Sequence, residues 1–211
     1  MADLTLQTLL TRLIVSLPII AVSGYVMAVG ARLLGDPGPS QDGRQTLNPL
    51  AHLDVLGTIS IAVFGLGWIR PQMADACRIR GGLWGVVAII LAPLACLLLL
   101  AFAAIKLLPW MSNAASITMA AVLANGLVAM ARMSVGFVML NLLPLVPLVG
   151  GHLLLASQAR LRSWFVRSGW ILSVVAICIV ATGLPHQILA PHVDVVLRFI
   201  SQDTANVVRQ Y

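Results

Sequence analysis

Few side chains in this sequence could do acid–base, nucleophilic or metal chemistry. There are seven Asp, no Glu, four His and three Cys. The most suggestive stretch is "NLLPLVPLVGGH", residues 141–152. Asn141 opens it, Pro144 and Pro147 bend it, and Gly150 and Gly151 close it before His152. The spacing has the rhythm of a metal-site segment, but the position before the glycines, where a carboxylate ligand is expected, holds Val149. A second pair, His52 and Asp54, stands in "NPLAHLD". Ser23 and Tyr25 are further candidates. A Ser23 nucleophile needs a base within hydrogen-bond reach, and no His or Lys shares its apolar run. His186 and His192 lie in the tail without a partner at i+4. Cys77, Cys96 and Cys178 form no CxxC pair and read as small buried hydrophobes. Any mechanism that needs a Glu base must import it from another chain.

The elements that must position these residues are set by a very apolar composition. The chain has 211 residues, 60% hydrophobic and 9% charged. Soluble domains carry about 25% charged residues, so this composition excludes one and predicts an integral membrane protein. The formal net charge of +6 comes from twelve Arg and one Lys. The Arg residues sit in short loops between apolar runs, as the positive-inside rule describes, and imply no nucleic-acid partner.

Five apolar runs are visible: about 13–34, 55–69, 83–108, 117–143 and 168–184. Residues 2–12 read as an interfacial lead-in to the first. No small-residue cleavage site follows that run, so it reads as a span. The second run is short enough to be re-entrant. Between the first two, residues 35–54 are rich in Gly, Pro, Asp and Asn and predict turns. Asn125 and Arg132, inside the fourth run, should face protein or a wet cavity. The tail stretch "VDVVLRFI" is amphipathic and should lie at the interface or against the bundle. The basic loops 70–80 and 153–167 are expected on the cytoplasmic side, and the uncharged turn 109–113 opposite. The expected fold is an all-α bundle of about five to six transmembrane helices, one domain over 1–211, its core at 13–152.

Two stretches together resemble bacterial site-2 proteases. "LLGDPGPSQDGRQTLNPLAHLDVLGTI", 33–59, is similar to the family segment LGDPTAKLQGRLTLNPLAHIDPLGTI. "LNLLPLVPLVGGH", 140–152, resembles FNLLPIPPLDGGH. "ILAPLACLLLLA" stands where the family has an AGPLSNLLLA-like helix. The resemblance runs from about residue 15 to residue 185. It implies an intramembrane zinc protease, with two His and a Glu from an HExxH helix and an Asp from LDGG.

Counting back from the matched LGD, the HExxH slot falls on residues 23–27. The His slots hold Ser23 and Met27, the Glu slot holds Gly24, and the Asp slot holds Val149. Zinc takes thiolate, imidazole or carboxylate ligands, and these four residues supply none. No catalytic residue, metal or cofactor is therefore expected. A residual cleft could keep Asn141, His52, Asp54 and His152. Asn141 matches a family Asn that helps to hold substrate backbone. Here it either still binds an extended segment or is a buried amide bonded to backbone freed by Pro144 and Pro147. His52 reads as a loop anchor, His152 as an interfacial or capping residue.

The expected function is a pseudoprotease: a structural or accessory subunit among other transmembrane subunits, in the bilayer of a bacterial inner membrane. An active metalloprotease with unorthodox or partner-supplied ligands, and a subunit associated with a small molecule or pigment, are the alternatives.

Overall fold

A computed structural model describes residues 5–72, 77–111 and 116–201. Among these the chain is all-helical, with no strand. Helix α1 covers Leu6–Leu33 and takes in residues 6–12 of the expected lead-in as its first two turns; residues 2–4 of that stretch lie outside the described residues. Thr5 caps it by accepting from the Thr8 amide, which satisfies one of the unpaired N–H groups of its first turn. Its inward stripe includes Ser16, Ile20, Ser23, Gly24, Met27 and Ala31, the three- and four-residue spacing of one helix face.

After the short α2 (Gly38–Gln41) and a 3₁₀ turn at Pro49–Ala51, α3 covers only Val55–Phe64. Ten residues rise about 15 Å, half of the roughly 30 Å hydrocarbon thickness. Asp54 caps its start, and Gly65, at φ 74°, ends it in the left-handed conformation that favours glycine. The chain then turns back along α3 through residues 66–72. Gly57 and Gly67 permit that contact: a Cβ on Gly57 would lie 2.3 Å from the Trp68 carbonyl oxygen, and one on Gly67 2.4 Å from that of Gly57.

Helices α4 (Leu83–Met111) and α5 (Ile117–Asn141) pack on each other and on α1. A turn leads through α6 (His152–Ser157) into α7 (Ala159–Ala181), which rests on α3. Helix α8 (Leu184–Ile200) is amphipathic and packs against α5. Arg132 of α5 is paired there with Asp194 of α8 at 2.7 Å.

Among the described residues, four helices are long and apolar enough to cross a membrane: α1, α4, α5 and Ser163–Ala181 of α7. The protein is an all-α membrane protein, as expected, and the candidate spans among the described residues number four against the five to six expected. The apolar run at 55–69 is divided by its glycines into a half-span helix and a return segment. The tail helix has one polar face. The cysteines also differ from expectation: Cys96 is half-buried and Cys178 exposed. In a bundle this small, much of each span faces outward, so an apolar run does not imply a core position.

Candidate functional site

The four slots of the resembled motif are all buried. Ser23, Met27 and Val149 are 0%, 1% and 0% exposed. Met27 and Val149 belong to one apolar cluster with Ile20, Phe137 and Val138. Ser23, Gly24, Met27 and Val149 themselves supply no carboxylate, imidazole or thiolate, so these four residues do not fit zinc.

The space beside Gly24 is taken by His52. A Cβ on Gly24 would lie 2.2 Å from both Cγ and Nδ1 of that ring. The ring is held from its far side, where Nε2 donates to the Thr46 carbonyl at 2.9 Å. That bond assigns the proton to Nε2 and leaves a lone pair on Nδ1. The Gln72 amide nitrogen stands 3.4 Å from Nδ1 and donates to the Gly24 carbonyl at 3.0 Å.

Gln72 also joins the second histidine. Its backbone N–H donates to His152 Nε2 at 3.1 Å, and His152 Nδ1 donates to the Val149 carbonyl at 2.8 Å. His152 is therefore the neutral Nδ1–H tautomer with both nitrogens bonded. Full burial pulls its pKa down to about 4, against the opposing effect of the Val149 bond, and the Arg44 charge lowers it further. Burial likewise lowers the His52 pKa. The Thr46 bond opposes that shift and Arg44 adds to it. Two polar atoms at this centre are buried without a partner: Ser23 Oγ and Gln72 Oε1. No hydrogen bond joins Ser23 to either imidazole, so the pairing of nucleophile and base is absent here.

Asn141 makes three bonds, all to backbone. Its amide nitrogen donates to Gly67 O at 2.9 Å and Phe137 O at 3.0 Å, and its oxygen accepts from Val149 N at 3.2 Å. It thus ties α5, the return segment and the turn before α6 together. Asp54 lies apart from this cluster. Its Oδ1 accepts from Gly57 N at 2.8 Å and Trp68 Nε1 at 3.1 Å. Tyr25 is half-buried and takes no part in these bonds. His192 Nδ1 is bonded to the Ile188 carbonyl on exposed α8, and His186 borders a cavity between α1, α5 and α8.

Sequence reasoning missed Gln72, the hub of the site. It stands in "IRPQ", directly after the second apolar run, where residues 70–80 read only as a basic loop. The one available signal was an uncharged polar residue that adds nothing to such a loop.

The buried slots, the two imidazoles and the Asn141 bridge sit on a helical scaffold, and the class that scaffold defines is an all-α membrane protein. Over 121 residues the chain is 38% identical to the Bacillus subtilis (strain 168) protein named "Putative zinc metalloprotease YwhC". The match covers 55% of this chain and 54% of that protein, so the chain spans about half the length of the curated relative it matches. This likeness supports a site-2-protease-like family. No family model matches the chain. No solved structure matches it.

Proposed function

We propose that this chain is a catalytically inactive, site-2-protease-like protein that serves as a structural or accessory subunit of a membrane complex in the bacterial inner membrane. The observation that carries the reading is the His52 ring in van der Waals overlap with any side chain at residue 24. The position that would carry the general base is filled by packing rather than held open for water. Ser23, Met27 and Val149 replace the ligands with groups that do not bind zinc. The bonds of Asn141 and His152 are spent on the protein's own backbone, as expected of a scaffold kept for its shape.

Purification in mild detergent, elemental analysis and mass spectrometry of co-purifying chains test the proposal together. The expected result is no stoichiometric zinc and at least one reproducible transmembrane partner. One zinc per chain, lost on His52→Ala or His152→Ala, would overturn it. The alternative, an active metalloprotease completed by a partner's ligand, draws support from Ser23 Oγ and Gln72 Oε1. Two unbonded polar atoms in a bilayer protein favour a polar occupant.

A further inference from the structure

A cavity of about 580 Å³ opens on the Arg-rich side of the molecule, between α2, the return segment and the first turns of the membrane-crossing part of α7. Three guanidiniums border it: Arg44, Arg70 and Arg167. None of the three makes an ion pair among the described residues. Two carboxylates share the cavity, and neither satisfies them. Asp54 Oδ1 is occupied by Gly57 N and Trp68 Nε1. Asp42 is exposed, and its attraction for Arg44 ranks behind both burial and the repulsion from Arg70. Arg44 itself donates to the backbone carbonyls of Pro71 at 3.0 Å and Arg70 at 3.4 Å. Guanidiniums stay charged in proteins, so the cavity keeps a net positive lining whose guanidiniums form no ion pair with its two carboxylates among the described residues.

The other wall is apolar. Val166 and Trp170 of α7 border the same cavity and are 68% and 67% exposed. Both belong to the stretch of α7 long and apolar enough to cross a membrane. A cationic cavity that continues into an outward apolar helix face, near the start of a span, is placed where phosphate headgroups meet acyl chains.

We propose that this cavity binds the headgroup of an anionic phospholipid, with its phosphate on Arg44, Arg70 and Arg167 and its acyl chains along Val166 and Trp170. A freely dissolved phosphate would use the guanidiniums and gain nothing from the apolar wall. Planar guanidinium forks suit phosphate oxygens. Through Arg44 the lipid also braces the carbonyl of Pro71, the neighbour of Gln72, and so steadies the segment that closes the protease-like centre. The inference does not depend on whether that centre is catalytic.

The test uses the full chain in a neutral detergent, titrated with phosphatidylglycerol or phosphatidylcholine and followed by native mass spectrometry and thermal unfolding. One phosphatidylglycerol should bind per chain and raise the unfolding temperature, and phosphatidylcholine should do neither. Arg167→Gln should weaken binding about fivefold and Arg70→Gln/Arg167→Gln about 25-fold, since each guanidinium near a lipid surface contributes on the order of a fivefold factor. Neither side chain makes a hydrogen bond or ion pair among the described residues, so folding should be kept. Arg160→Gln, the same charge change outside the cavity, should leave affinity within about twofold. Equal binding of the two lipids, or equal weakening by Arg160→Gln and Arg167→Gln, would overturn the site. Stabilisation by glycerol 3-phosphate at the same concentration would show that a free phosphate, not a lipid, is the ligand, and would also overturn it.

Discussion

The imidazole of His52 stands where a side chain at residue 24 would begin, 2.2 Å from the Cβ that Gly24 lacks. Neither side can give way cheaply. Gly24 is on a packed helix face, and the ring is anchored through Nε2 to Thr46. Gly24→Ala should therefore destabilise the protein by about 1–3 kcal/mol, and Gly24→Glu by at least as much. His52→Ala should relieve part of that loss, so the double variant Gly24→Ala/His52→Ala should be more stable than the sum of the single changes allows. Thermal unfolding of the four proteins closes the cycle. Strict additivity would mean that the two residues do not share this space.

His152 predicts a pH dependence. Its folded pKa of about 4 lies below the ordinary 6.5. The unfolded chain therefore binds more protons between those values, and stability rises with pH across them. The contribution is fully present above about 6.5 and is lost as pH falls toward 4, roughly 3 kcal/mol in all. His52 shifts in the same direction. His152→Gln should flatten the profile between pH 4 and 6.5 without abolishing its slope, because His52 remains. An unchanged profile would place the acid sensitivity elsewhere.

Val149→Asp would put a carboxylate at a position that is 0% exposed and surrounded by Ile20, Met27 and Phe137. The expected cost is a few kcal/mol. It should be larger at pH 8 than at pH 5, because burial raises the carboxyl pKa and the penalty falls on the ionised form. A neutral effect, together with reaction of a Met27→Cys variant with water-soluble thiol reagents, would mean that the centre is hydrated.

Asn141→Leu removes three bonds to backbone and leaves Gly67 O and Val149 N to find new partners. At about 1 kcal/mol per bond, with more for groups left unpaired in the interior, the loss should be about 2–4 kcal/mol. Asn141→Asp should not rescue it, since a carboxylate cannot donate to Gly67 O or Phe137 O. Unfolding temperatures measure both. A stable Asn141→Leu protein with an altered partner set would move Asn141 from scaffold to binding residue.

Orientation can be read by single-cysteine labelling of intact cells, in a background with Cys77, Cys96 and Cys178 replaced. Positions 78 and 162 should be protected from membrane-impermeant reagents, and position 110 should react. The reason is the concentration of Arg in the stretches 70–80 and 153–167 and its absence from residues 109–113. Labelling of 78 or 162 from outside would invert the topology.

The membrane class and the α4 and α5 spans were legible in the linear sequence, each for a local reason. A run of apolar residues specifies a helix in lipid wherever it sits. The half-span α3 was less legible, because hydropathy does not register that Gly65 takes a left-handed φ and that Gly57 and Gly67 let the chain fold back upon itself. What fills the space where a base would stand was not legible at all. Gln72 meets Gly24 across 48 positions and His152 across 80. Such contacts follow from how α1, α3 and α5 pack, and packing is a property of the whole molecule. Residue types determined that Ser23, Met27 and Val149 offer zinc no ligand and that residue 24 has no side chain. Only the tertiary structure decided that His52 and Gln72 would occupy the room it left, since a void inside a close-packed interior costs more than a ring turned into it.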